Sequence, residues 1–385
     1  MNAAVKPAPI AELTVSKPMP TSALLQAMLK VSSRVSDLII SPGSFPVVEE
    51  SGKLVAVKIS GMDPLTPDDT KRIAYELIGK NQQAIDALQA QGACDFSYRI
   101  PGHCRFRVNV FQQRGSHAIV MRVIPQAIPN LASLNLPPQL AEIAELRNGI
   151  VLVTGPTGSG KSSTLAAVLD RINETHAYHI LTIEEPIEFM HRHKRSIVHQ
   201  RELHSDTPSF ALALRAALRQ APKVILVGEM RDKETIEIAL EAAETGHLVL
   251  STLHTIDASK TVERIVGVFP LAEQHTIRNR LAKSFRFIVS QRLVPRKDGN
   301  GRVAIVEILK ATVRTREYLE KGEHEGKTLL EAMRDGDTEG MQHFDGEIEK
   351  LVRAGVVDLE TGLAYATNPG NLRLELADMG TFPKL

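Results

Sequence analysis

The chain has 385 residues, enough for two or three domains each with a core of its own. With 46 Lys and Arg against 45 Asp and Glu, a formal net charge of +1 and 43% hydrophobic residues, it has an ordinary globular composition. A dedicated nucleic-acid binder usually carries a basic excess, so stable nucleic-acid binding is not expected. Cys94 and Cys104 lack C-x-x-C spacing and make neither a zinc cage nor a disulfide framework, which fits a reducing cytoplasm. No apolar run approaches the roughly 18 residues of a membrane span. The N-terminus also lacks the apolar core of a signal peptide. The expectation is a soluble, cytoplasmic protein whose membrane association is at most peripheral.

Residues 1–20, with Pro7, Pro9, Pro18 and Pro20 among small residues, read as a disordered tail. Residues 21–125 read as a mixed α/β domain. A helix over 22–32 has Leu24, Leu25, Met28 and Leu29 at helical spacing, with Thr21 or Ser22 as N-cap. Strands follow over 37–41 and 54–59, then helices over 68–78 and 82–91. In the strand Cys104–Val110, alternation puts Phe106, Val108 and Val110 on one face and Arg105, Arg107 and Asn109 on the other. Prolines at 125, 129, 137 and 138 mark residues 126–138 as a linker. A second domain over 139–310 begins with a helix near 138–147. Its short apolar strands at 149–154, 180–183, 224–227 and 248–251 alternate with helices, the rhythm of a covered parallel sheet. One helix, 233–244, starts after Asp232 and stops at Gly246. Residues 311–385 read as helical and charged, with helices near 312–321, 327–335, 342–354 and 371–378.

The chemistry concentrates after the strand ending at Thr154. Gly155-Pro156-Thr157-Gly158-Ser159-Gly160-Lys161-Ser162 satisfies G-x-x-x-x-G-K-[S/T], and Ser163 opens a helical run behind it. Glycines let successive backbone N–H groups curl around a phosphate, and the helix N-terminus adds unpaired donors. Lys161 is expected to reach the β- and γ-phosphates and the Ser162 hydroxyl to ligate Mg²⁺. A glycine-rich turn that binds nothing is the alternative, and the flanking strand and helix weigh against it. The motif implies a nucleoside triphosphate.

Such a loop needs carboxylates near the magnesium and the attacking water. Glu184-Glu185 and Glu229 fall at strand ends, where catalytic groups of open α/β sheets collect. His254 closes a third strand and His247 precedes it. Either one alone reads as well as a structural histidine as it does as a γ-phosphate sensor. The stretch 191–204 holds four histidines and four basic residues but no cysteine or carboxylate at ligand spacing, so a solvated basic hairpin is expected rather than a metal site.

These segments together resemble the type IV pilus and type II secretion ATPases. The resemblance is carried by the phosphate loop, by Thr182-Ile183-Glu184-Glu185-Pro186-Ile187-Glu188 (their acidic box) and by Val227-Gly228-Glu229-Met230-Arg231-Asp232 (their Walker B segment). It is carried too by the histidine box, Ala243-Glu244-Thr245-Gly246-His247 through Leu253-His254-Thr255. The likeness to the pilus-retraction members runs from about residue 36 to about 310. It implies a PAS-like α+β N-terminal domain followed by a RecA-like ATPase core with a helical C-terminal part, assembled as a homohexamer. The ring would act on an inner-membrane pilus platform protein, using ATP and Mg²⁺.

By family role Glu229 is the Walker B carboxylate, and Glu184, then Glu185, helps with magnesium or water. His247 and His254 line the site. Arginines from a neighbouring domain or subunit complete it, which makes Arg107 or Arg105 candidates to act in trans, against the plain reading of a solvated strand face. Two departures stand out. The box reads Glu-Glu-Pro where Glu-Asp-Pro is usual. Also, Thr312-Val313-Arg314-Thr315-Arg316-Glu317 keeps only the start of the retraction signature. Retraction is the expected role, with an accessory pilus or secretion-type assembly motor as the alternative. A nucleic-acid translocase would show DNA-stimulated turnover, and a non-hydrolysing regulator would show none.

Overall fold

The computed structural model describes residues 19–32, 34–50, 53–100, 104–124 and 127–377. The expected N-terminal tail lies outside the described residues except for Met19 and Pro20. The chain divides into two compact units, 1–125 and 126–385.

The first unit runs α1 (Thr21–Leu29), β1 (Val35–Ile40), β2 (Val47–Glu50), β3 (Lys53–Ala56), α2 (Pro67–Ile78), α3 (Gln82–Gln91), β4 (Ala93–Ile100), β5 (Cys104–Gln113) and β6 (Ser116–Ile124). Its strands form one antiparallel sheet in the order β3-β2-β1-β6-β5-β4. Helix α2 begins in a capping box: the Thr66 hydroxyl accepts from the Asp69 N–H while the Asp69 carboxylate accepts from the Thr66 N–H. Each such cap is worth about 1 kcal/mol. The expected cap of α1 is not used. Pro20 holds the N-cap position, and the Thr21 hydroxyl donates instead to Glu76 on α2. Phe106, Val108 and Val110 are fully buried with Leu24, Leu38, Ile73 and Met121, as the alternation of β5 requires.

The second unit runs β7 (Gly149–Thr154), α4 (Lys161–Thr175), β8 (His179–Glu184), β9 (Ile197–Glu202), α5 (Phe210–Ala217), β10 (Val224–Val227), α6 (Lys233–Glu244), β11 (Leu248–Leu253), α7 (Ala258–Gly267), α8 (Leu271–Ser284), β12 (Phe285–Pro295) and β13 (Arg302–Lys310). It ends in α9 (Val313–Lys321), α10 (Leu329–Asp335), α11 (Phe344–Arg353), α12 (Leu359–Tyr365) and α13 (Pro369–Glu375). The sheet order is β13-β12-β7-β11-β10-β8-β9, parallel except for β13 against β12. All six residues of β7 are buried. Alternation sends Ile150 and Leu152 into one core with α6, α7 and α8, and Val151 and Val153 into another with α4. Residues of the proline-rich stretch join the second core, where Leu136 is 7% exposed and Leu140 is fully buried. The helix expected from Pro138 is a 3₁₀ helix ending at Glu145.

The expected basic hairpin over 191–204 is instead half strand. Residues Ile197–Glu202 form β9, an edge strand parallel to β8. Its polar side chains suit an edge that faces water on one side. His193 Nδ1 accepts the Val198 N–H, and His199 Nδ1 lies 2.9 Å from His179 Nε2.

Candidate active site

The phosphate loop leaves the centre of the parallel sheet and enters α4 at Lys161. Gly155 has φ +144, and a Cβ there would stand 2.3 Å from the Gln291 carbonyl oxygen and 2.6 Å from Ser159 Oγ. Gly160 has φ +92 with the Gln291 amide 2.7 Å from a Cβ position. Only glycine fits either place. Ser159 is 2% exposed, and its Oγ has no hydrogen-bond partner among the described residues. Lys161, 8% exposed, donates from Nζ to the carbonyls of Gly155 (2.9 Å) and Pro156 (3.0 Å). Burial lowers its pKa, and the charges of Glu229 and Glu188 oppose that.

The neighbours of Lys161 form an alternating charge chain. His254 Nδ1 lies 3.5 Å from Lys161 Nζ, and His254 Nε2 lies 3.3 Å from Glu229 Oε2. One tautomer meets both, with Nε2–H donating to the carboxylate and the Nδ1 lone pair facing the ammonium. Arg231 closes the chain 2.7 Å from Glu229. Burial alone would raise the Glu229 pKa, but Arg231 and His254 outweigh it and hold the carboxyl below its ordinary value. At neutral pH Glu229 is therefore a carboxylate poised beside the loop.

Glu184, the last residue of β8, is enclosed differently. The Thr182 hydroxyl (2.6 Å) and the Gln200 amide (3.1 Å) donate to Oε1, and the Glu188 N–H (3.4 Å) reaches Oε2. Burial pushes its pKa up to about 7 against those hydrogen bonds. Glu184, Glu185 and Glu188 line one cleft together with Ser162 in the first turn of α4. The cradle that a Cβ would fill, the orphaned Ser159 hydroxyl and this set of hard oxygen donors fit a triphosphate with Mg²⁺.

Three other expected residues have different surroundings. Glu185 turns to His204, 2.9 Å away, although its side chain borders the cleft. Ser163 follows Ser162 half-buried in α4. His247 is not brought to the phosphate loop of this chain. It precedes Leu248, which pairs with Gly149 at the start of β7, whereas Gly155 follows the end of β7. The six residues of β11 thus separate it from His254, on the order of 20 Å in a strand. Its ring contacts the Ala242 carbonyl at 2.9 Å, closing α6.

In the first unit Arg105 and Arg107 lie on the polar side of β5, away from Phe106 and Val108. Arg107 is paired in register with Ser97 and Arg122, and Arg105 with Arg99. Arg122 holds an ion pair with Asp37 at 2.9 Å. Like charges directly opposite each other destabilise a sheet by roughly 0.2–1 kcal/mol per pair. The same face carries Asp95, Asp37 and Glu49 beside these arginines, so its charge is mixed.

Sequence reasoning missed Gln291, Arg231 and Arg292. Gln291, 3% exposed on β12, donates to the Ser159 carbonyl and accepts from the Thr164 hydroxyl, both at 2.7 Å. It clamps the loop to the first turn of α4. The signal was present, because Gln291-Arg292 follows the apolar run 287–289 towards the carboxyl end of a strand, where Glu184 and Glu229 were found.

His191, from the basic stretch, borders the cleft with a side chain 4% exposed, 3.9 Å from Asp170. Burial lowers its pKa to about 4 from 6.5, Asp170 opposing and Lys194 assisting. A group depressed in the fold contributes stability that is present above 6.5 and lost as pH falls towards 4. Tm measured between pH 7 and 4 is expected to fall less steeply in His191→Asn. Identical slopes would show that His191 does not carry this acid sensitivity.

The family model described as type II/IV secretion system protein matches residues 91–361. The chain belongs to the type II/IV secretion ATPase family. It is 50% identical over 323 residues to a twitching motility protein of Neisseria gonorrhoeae, covering 84% of each chain. Identity to the type IV pilus retraction ATPase PilT of Pseudomonas aeruginosa is 42%, over 87% of this chain and 95% of that one. Among solved structures, the pilus retraction motor PilT with bound ADP matches with a TM-score of 0.82 and 41% identity, covering 92% of this chain and 98% of that one. This member of the secretion ATPase family therefore has the expected architecture, an α+β first unit and a RecA-like second unit with helices at its C-terminal end.

Proposed function

We propose that the chain is one subunit of a homohexameric ATP-hydrolysing motor that retracts type IV pili. The observation that carries the reading is the Lys161–His254–Glu229–Arg231 chain at the carboxyl ends of β10 and β11, on a fold shared with a retraction motor. Loop N–H groups and Lys161 hold the β- and γ-phosphates. Ser162 and Glu184 hold Mg²⁺, which when bound neutralises phosphate charge. Glu229 polarises the attacking water, and His254 reports the γ-phosphate to both Lys161 and Glu229. Gln291 keeps the loop shaped. Pro156, Thr157, Ile256, Arg292 and Tyr365 border a second cleft beside the loop, and it takes the base and ribose. The Arg292 guanidinium is stacked 3.7 Å over Phe344 and donates to the Tyr365 carbonyl at 2.6 Å, which makes that wall firm.

No described helix is long and apolar enough to cross a membrane. In this reading the motor works on the membrane through a platform protein at the cytoplasmic face of the inner membrane. Arg107, or Arg105, reaches a neighbour's nucleotide, a reading supported by the place of both on the polar side of β5. An arginine supplied in trans is worth on the order of 10³-fold in rate. Mixing Arg107→Ala with Lys161→Ala subunits is expected to restore part of the turnover each lacks. Normal turnover in both Arg107→Ala and Arg105→Ala rings would assign these arginines to a solvated face. For the biological role, deleting the gene in its own bacterium is expected to leave surface pili in place and stop twitching. Loss of pili would favour an assembly motor.

A further inference from the structure

Glu307 on β13 is 3% exposed, has no part in the chemistry above, and lies beneath the loop that carries His254. Its Oε1 accepts the Ala258 N–H at 2.9 Å, the first amide of α7. Asp257 caps the same helix, accepting the Lys260 N–H at 2.7 Å. The two carboxylates thus divide the unpaired donors of one helix end. Glu307 also stands opposite Ser290 in the β12–β13 register, and Ser290 stands opposite Thr154, the residue before the phosphate loop.

Hydroxyls continue the line. Thr154 donates to Ser290 at 3.1 Å, Thr261 reaches Thr154 at 3.5 Å, and Thr261 lies 2.6 Å from Thr255, the residue after His254. Thr154, Ser290 and Thr261 are fully buried. Burial, aided by the charge of Asp257, pushes the Glu307 carboxyl up to about 7 against the Ala258 and Ser290 hydrogen bonds and the charge of Arg292. An acid so deep is costly to keep, and its bonds all converge on two places: the root of the phosphate loop and the segment 255–258.

We propose that Glu307 is a positioning residue for His254, tying the N-terminus of α7 and the Thr255–Thr261–Thr154–Ser290 hydroxyl line to the sheet. It thereby fixes the His254 loop relative to Lys161. This inference rests on the proposed role of His254.

The test uses the full chain with Glu307→Ala and the near-isosteric Glu307→Gln, read by amide hydrogen exchange and by ATP turnover. In Glu307→Ala, exchange over residues 254–262 is expected to accelerate while that of α4 stays as in the wild type, and Glu307→Gln, which keeps an acceptor for Ala258, recovers most protection. Turnover is expected to fall on the order of ten- to a hundredfold in Glu307→Ala, as a displacement of about 1 Å costs, with a smaller change in KM. His254→Ala and the double variant with Glu307→Ala should turn over alike, since a misplaced histidine has little left to lose. Unchanged exchange over 254–262, or losses that multiply in the double variant, would overturn the proposal. Wild-type turnover in His254→Ala would overturn it together with the role of His254.

Discussion

Lys161→Ala is expected to abolish hydrolysis, lowering turnover on the order of 10³-fold or more, with ATP affinity reduced as well. Lys161 is the cation of the phosphate loop and is held 8% exposed, where water screens its charge little. In the structure Nζ bonds the carbonyls of Gly155 and Pro156, the lip of the cradle that a triphosphate would enter. Removing it takes away charge where charge develops on the γ-phosphate, and leaves Glu229 to Arg231 and His254 alone. The fold should survive, because among the described residues the side chain ties no element other than its own loop and the His254 ring. Phosphate release measured beside the melting temperature tests both halves. An intact Tm with most of the wild-type turnover would remove Lys161 from the chemistry.

The second large effect belongs to Glu229→Gln. The amide keeps size and shape but cannot polarise a water as a carboxylate does, so turnover should drop on the order of 10²- to 10⁴-fold. Its partners make the substitution specific. Arg231 at 2.7 Å and His254 at 3.3 Å are both organised by the negative charge, and the amide loses the ion pair with Arg231 and weakens the acceptor for His254. Nucleotide affinity is expected to stay the same or tighten, because removing an anion near Lys161 lessens repulsion of the triphosphate. Affinity by fluorescence titration and rate by phosphate release separate the two effects. Unchanged turnover would move the water-activating role to Glu184 or Glu185.

Much of the site was legible because its residues are dictated by backbone chemistry. Gly155 and Gly160 occupy positions where a Cβ collides with Gln291, and Lys161 heads a helix, so the loop announces itself in eight consecutive residues. Glu184 and Glu229 were found by strand-end logic, since the buried parallel strands β8 and β10 both end at the same edge of the sheet. His247 was given its place by the resemblance and not by strand-end logic: in this chain it precedes β11, while His254 follows that strand's end. Gln291 acts through a contact 132 residues away in sequence, so its position towards a strand end was legible but its partner Ser159 was not.

In the fold, β4 and β6 escaped notice because Ala93–Ile100 and Ser116–Ile124 mix polar and charged residues among the apolar ones. Helix α12 escaped because Gly362 sits in its middle. A Cβ there would stand 2.8 Å from a Val352 methyl and 3.1 Å from one of Ile348, so close packing on α11 demands the residue that propensity disfavours. The edge strand β9 was hidden by its own exposure.

The central claim is that this chain hydrolyses ATP at the site built around Lys161 and Glu229. Steady-state phosphate release by the purified wild-type chain, with ATP and Mg²⁺ and over a range of protein concentrations, tests it most directly. Turnover is expected to require Mg²⁺ and to fall per subunit as the assembly is diluted apart. Tight ATP binding with no phosphate release at any concentration would contradict it.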